Sequence, residues 1–104
     1  MEFVVVVTFE TTPEQHDKTF RLLDEYIDGF LRLQPGFIES RLNEKQDGTG
    51  FLHYARWQQE SDFRAFAGKA QEHPLLPEIR LLNASANFFS VARHYTAQPD
   101  GEKQ

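Results

Sequence analysis

Residues 37–57 read FIESRLNEKQDGTGFLHYARW. Both ends alternate apolar and polar positions, and QDGTG at 46–50 places glycine where a tight turn needs positive φ, so the stretch predicts a β-hairpin. On its second arm the two-residue period puts Phe51, His53, Ala55 and Trp57 on one face and Leu52, Tyr54 and Arg56 on the other. A titratable imidazole therefore shares a largely apolar face with an indole. An isolated hairpin is marginal in water, so its apolar face needs further strands and a helical layer.

The flanking sequence supplies both. FVVVVTF at 3–9 is apolar on both alternating faces and predicts a strand buried on both sides. In TTPEQ, Thr12 can cap, Pro13 suits a first helical position and Gln15 completes a capping box, predicting a helix from about residue 13. Its apolar stripe runs through Phe20, Leu23, Ile27, Phe30 and Leu31, and Gln34-Pro35-Gly36 ends it. Phe63, Phe66, Ala67 and Ala70 mark a second helix, and a short helical or irregular piece with Pro77 in its first turn follows His73-Pro74. Residues 84–95 resume strand character, and a polar tail, 97–104, follows a domain spanning 1–96. The order β-α-β-β-α-β is the ferredoxin-like split βαβ arrangement, an α+β fold with a four-stranded antiparallel sheet and both helices on one face. Val4, Val6, Ile38, Leu42, Leu52, Tyr54, Phe89 and Val91 are expected on the opposite face, an apolar surface that predicts a homodimer of sheets packed face to face.

Composition narrows the function. The 104 residues suffice for one domain. An aromatic content of 13% suits a packed core or a pocket for flat organic molecules. The net charge of −5 argues against a phosphate-binding surface, and with no helix-turn-helix, zinc-finger or RRM pattern no nucleic-acid partner is expected. Absence of cysteine excludes disulfides, thiolate catalysis and cysteine-ligated metals. Met1-Glu2 opens without a basic leader and VVVV at 4–7 is too short to span a bilayer, so a cytoplasmic protein with no membrane segment is expected. No histidine pair has the i, i+4 spacing of a helical metal site, and no metal is expected.

The succession QPGF at 34–37, a strand, DGTG, YARW and the helix start ESDFRAF resembles the antibiotic biosynthesis monooxygenase family over roughly residues 3–95. The resemblance implies a dimeric α+β barrel, and activities that include cofactor-independent oxidation of anthrones, naphthacenones or hydroquinones to quinones. In the quinone-forming members an asparagine and, four residues later, a tryptophan share a face of the third strand, with a tyrosine six residues further on. Trp57 matches this pattern, whereas His53 stands at the asparagine position and Phe63 at the tyrosine position. Gln59 replaces the serine that commonly caps the next helix, and Arg80 lies near where a substrate-steering arginine occurs in that subgroup.

The residues carry a chemical argument of their own. Triplet oxygen reacts poorly with closed-shell organic molecules, so a protein without metal or flavin needs a substrate that donates an electron once deprotonated, such as a phenol, hydroquinone or anthrone. It must supply a base, aromatic walls and a dry pocket. His53 is the candidate base, since imidazole titrates nearest neutrality. Trp57 is the candidate stacking group, with an indole N–H available to a developing oxyanion. Phe63, Phe66, His73, Arg80, Phe88 and Asn43 are candidate substrate-binding residues, with Arg56 a further neighbour; no cofactor is assigned, and the expected partners are a small aromatic molecule and O2. Three alternatives remain open at this level. His53 can be a packed, hydrogen-bonded core residue. The chain can bind and degrade haem, although His73 lies sixteen residues beyond Trp57, further than the ligand histidine of haem-degrading relatives. It can also be a non-catalytic small-ligand-binding module of the same fold.

Overall fold

The computed structural model describes residues 2–99. Its order is strand β1 (Phe3–Glu10), helix α1 (His16–Gly29), a single 3₁₀ turn (Leu31–Leu33), the hairpin β2 (Phe37–Glu44) and β3 (Gly50–Trp57), helix α2 (Glu60–Ala70), short helix α3 (Leu76–Arg80) and strand β4 (Ser85–Ser90). The strands lie in the order β2-β3-β1-β4, every pair antiparallel. This is the α+β split βαβ topology read from the sequence. β1 is central, with β3 on one side and β4 on the other.

The hairpin turns where expected. Gly48 takes φ +78°, and Asp47 Oδ1 accepts hydrogen bonds from the Thr49 N–H (3.0 Å) and hydroxyl (2.6 Å), bracing the turn with an Asx motif. Leu23, Tyr26, Phe66 and Ile79 from the helices join Phe3, Val5, Phe9, Ala55 and Trp57 from the sheet in one core. His16, opening α1, stacks on Phe51 with ring centroids 4.8 Å apart and sets Nε2 3.0 Å from Glu44 Oε1, tying the helix start to the hairpin.

Three expectations need correction. The helix predicted from about residue 13 begins at His16, because Pro13 is spent in a turn closed by Gln15 N–H to Thr12 O (3.0 Å). The Thr12 hydroxyl does accept that N–H (3.2 Å), but helical bonding starts only with Thr19 N–H to Gln15 O (2.9 Å). The last strand ends at Ser90 rather than 95, since its partner β1 begins at Phe3, opposite Ser90. Beyond it Val91 N–H reaches Glu2 O (3.3 Å), and residues 91–99 have no regular structure; 100–104 of the predicted tail lie outside the described residues.

Leu42 is the third. A register shift between Phe37 and Glu39 inserts one residue into β2, and a one-residue shift turns every later side chain over. Leu42 therefore pairs with His53 and packs on the core under the helices, while Glu39 and Arg41 point outward with Arg56 and Tyr54. The outer face is correspondingly more polar than its sequence pattern suggested. Arg56 donates there to Glu2 through Nε (2.8 Å) and Nη2 (2.6 Å) and to Glu39 through Nη1 (2.5 Å).

Gly36, at φ +85°, leads into β2 with the Asp62 side chain where a Cβ would stand. Gly68, inside α2, has open space at that position. Gly36→Ala is expected to lose about 1–3 kcal/mol of stability in urea denaturation, through backbone strain. Gly68→Ala is expected to gain about 0.5–1 kcal/mol, through helix propensity.

Candidate active site

Three rows of residues cross the sheet on its helix side. Leu42, His53, Val7 and Ala86 form one, Ser40, Ala55, Val5 and Phe88 the next, and Phe37, Trp57, Phe3 and Ser90 the third. The middle row is small at Ser40 and Ala55, so the sheet dips between His53 and Trp57. A cavity of about 330 Å³ occupies the space between this side of the sheet and the helices, within the size range of small-molecule sites. Val5, His53, Ala55 and Trp57 line its sheet wall, Leu23, Tyr26 and Ile27 its α1 wall, and Phe63, Phe66 and Ala70 its α2 wall. Exposed residues Gln71, Arg80, Ala84 and Ala86 form the rim, where the small alanines leave the mouth wide. Across that rim Arg80 Nη2 donates to Gln71 Oε1 (2.8 Å).

His53 is only 4% exposed, flanked by Leu42 and Val7 on the neighbouring strands. Among the described residues its Nε2 is the one buried side-chain nitrogen or oxygen without a hydrogen-bond partner. Leaving a buried polar atom unpaired costs about 1–3 kcal/mol, and no protein group here offsets that cost at Nε2. Burial lowers the imidazole pKa to about 4, since the cationic form would lie in apolar surroundings. The ring is thus neutral at ordinary pH and has one nitrogen free to accept a proton.

Trp57, 1% exposed, is gripped by phenylalanines: edge-on to Phe37 (5.6 Å, 84°) and Phe63 (5.8 Å, 71°), tilted against Phe66 (5.3 Å, 32°). Such packing presents an immobile aromatic surface to whatever enters.

The fold brings together five of the residues singled out in the sequence: His53, Trp57, Phe63, Phe66 and Arg80. The others stand outside the lining. His73 packs between Tyr26 and Phe30 (ring centroids 5.0 and 4.5 Å), and its Nδ1 accepts the Leu75 N–H (3.1 Å) as a local cap. Asn43, on the outer face, donates to Leu52 O (3.2 Å). Phe88 shares the row of Ala55 but lies on the edge strand, stacked on Phe3 (5.9 Å, 14°) and 54% exposed. Arg56 is held on the outer face by Glu2 and Glu39. Tyr26, Gln71 and Ala55 were not singled out. Tyr26 sits three residues after Leu23 and one before Ile27, so the helical stripe could have included it; Ala55, by contrast, matters for the volume it leaves empty.

With this geometry in view, the comparisons with known proteins agree. Residues 2–72 match the antibiotic biosynthesis monooxygenase family. The chain belongs to that family. Tetracenomycin-F1 monooxygenase of Streptomyces glaucescens is 26% identical over 92 residues, covering 88% of this chain and 82% of its own. A monooxygenase from the gene ActVA-Orf6 of Streptomyces coelicolor, solved in complex with nanaomycin D, superimposes with a TM-score of 0.76 at 25% identity, covering 92% of each chain. SnoaB of Streptomyces nogalater, a cofactor-independent oxygenase solved as a point mutant, shares the fold at TM-score 0.68 and 20% identity, over 89% of this chain and 95% of its own. His73 is outside the cavity lining and already engaged with the Leu75 N–H, so it offers no axial ligand for haem there.

The buried imidazole has a measurable consequence for stability. Above about pH 6.5 neither the folded nor the unfolded chain protonates His53, and its contribution is constant. As pH falls from 6.5 towards 4 the unfolded chain takes up a proton that the folded chain refuses, so about 3 kcal/mol should be lost over that window, levelling off below it. Unfolding free energies of wild type and His53→Asn from urea titrations between pH 7 and pH 4 should diverge by about this amount.

Proposed function

We propose that this protein is a cofactor-independent monooxygenase that oxidises a small oxygenated aromatic with O2. The observation that carries the reading is the buried imidazole of His53, with no hydrogen bond at Nε2, among the lining of an apolar, aromatic cavity. Its support from the comparisons is that one relative is named for its action on tetracenomycin F1 and another was solved holding nanaomycin D.

In this mechanism a flat ring lies against Trp57 and the His53 imidazole takes a proton from a phenolic hydroxyl or from the CH2 of an anthrone. Charging His53 alone in the empty pocket is costly. Proton transfer from a bound substrate instead creates an imidazolium beside an oxyanion, whose attraction in a low-dielectric site offsets much of that cost. The electron-rich anion passes one electron to O2, and the radical pair recombines as a peroxide that His53 reprotonates. For an anthrone-like substrate, loss of water from the R2CH–OOH intermediate leaves a carbonyl. One oxygen atom is then incorporated, the other leaves as water, and the four electrons lost by carbon balance those gained by O2. Exclusion of water protects the anion and the peroxide.

Oxygen uptake by metal-free protein across anthrones, naphthols and hydroquinones tests the reading. His53→Asn should lower the rate by about 10²–10⁴-fold, and the wild-type rate should show its histidine limb near pH 4 instead of 6.5. Trp57→Phe should weaken binding and leave that limb in place. Saturable binding without oxygen uptake would identify a ligand-binding module, and an unchanged rate in His53→Asn would remove the imidazole from the chemistry.

The working unit in this proposal is a homodimer. Val6, Leu52, Tyr54 and Phe89 lie on the sheet face away from the helices, where Leu52 and Phe89 are exposed and β4 is solvent-facing throughout. Sedimentation equilibrium at micromolar concentration should return twice the chain mass of 12.1 kDa, and a stable folded monomer would contradict the arrangement.

A further inference from the structure

The cavity has a second polar group on the wall opposite His53. Tyr26 projects from α1, is 8% exposed and lines the same cavity. No described residue hydrogen-bonds to its hydroxyl. Sealed, unpaired side-chain polar atoms among the described residues are confined to His53 Nε2, so the unpaired Tyr26 oxygen is not sealed, and Tyr26 borders the cavity.

The ring cannot easily turn away. It stands edge-on to His73 (5.0 Å, 87°) and Phe66 (6.3 Å, 64°) and tilted to Phe30 (5.6 Å, 56°). Gln71 and Arg80 already pair with each other at the rim. Phe63 offers no hydroxyl, and Tyr54 faces the outer side of the sheet beside Arg41, so among the residues lining this cavity Tyr26 is the one phenol.

We propose that Tyr26 is a substrate-binding and specificity-determining residue, donating to one oxygen of a flat aromatic whose other oxygen meets His53. Two polar groups on opposite walls of an otherwise apolar slot favour a ring oxygenated at two separated positions over the same ring with one oxygen or none. Burial holds the phenol pKa up at about 12, so Tyr26 remains a donor throughout the range in which His53 remains an acceptor. The two ends of the slot are therefore chemically distinct, which orients the substrate as well as retaining it. This inference rests on the proposed aromatic substrate and names its oxygenation pattern.

The chain's one tryptophan, Trp57, lines the cavity, so its fluorescence reports occupancy. Anaerobic titrations with 1,4-dihydroxynaphthalene, 1-naphthol and naphthalene should give affinities decreasing in that order. Tyr26→Phe, which removes one oxygen atom and keeps the ring, should weaken the diol about 3- to 10-fold, the usual worth of one neutral hydrogen bond, and leave naphthalene unchanged. The unchanged naphthalene affinity also verifies that the variant is folded. An unaltered diol-to-naphthalene ratio in Tyr26→Phe would overturn the role of Tyr26, and oxygen uptake by wild type would then leave the monooxygenase reading standing. Failure of all three probes to bind, with no oxygen uptake, would sink both.

Discussion

The structure depends on the antiparallel register of β1 with β3, in which Phe3 faces Trp57, Val5 faces Ala55 and Val7 faces His53. Because cross-strand partners share a face, this one alignment carries the base, the hollow and the aromatic surface to the same side of the sheet. Shifting it by a single residue would exchange His53 and Trp57 for Leu52, Tyr54 and Arg56, leaving the helices to cover a guanidinium. The desolvation cost of that charge makes the alternative register untenable.

Apolar flanks that stabilise this register also impose the electrostatic character of the site. Leu42 and Val7, on either side of His53, are ordinary core residues, yet they strip the imidazole of solvent and hold it neutral. A buried unpaired nitrogen is a local sacrifice of stability, of a kind that concentrates at functional positions. Nearby, Ala55 leaves unfilled the volume that a larger side chain would pack. Core and pocket are thus one surface, differing only in side-chain size along adjacent rows.

Opposite walls are built by different rules. The sheet wall is rigid, with its side chains set by hydrogen-bonded ladders, whereas the α1 and α2 wall is an aromatic cluster in which Tyr26, Phe30, Phe63 and Phe66 hold one another at angles. Edge-on and tilted ring contacts are favourable beyond the area they bury. They provide a firm face whose one phenol is Tyr26, so the few polar atoms of the lining set the cavity's chemistry.

Much of this was legible in the sequence. Two-residue alternation is intrinsic to a strand, so FLHYARW alone placed His53 and Trp57 on one face, and the apolar, β-branched run FVVVVTF alone marked a strand. Local turn chemistry determined the hairpin, because positive φ at Gly48 and the Asp47 side chain require no distant partner. Tertiary structure alone decided whatever depended on register or on emptiness. The inserted residue in β2 turned Leu42 inward and Asn43 outward, and no pattern count reveals a bulge. Tyr26 became part of a wall, because helix packing rather than chain order determines which distant side chains meet. The cavity itself is volume not filled, and a sequence names only the atoms that fill.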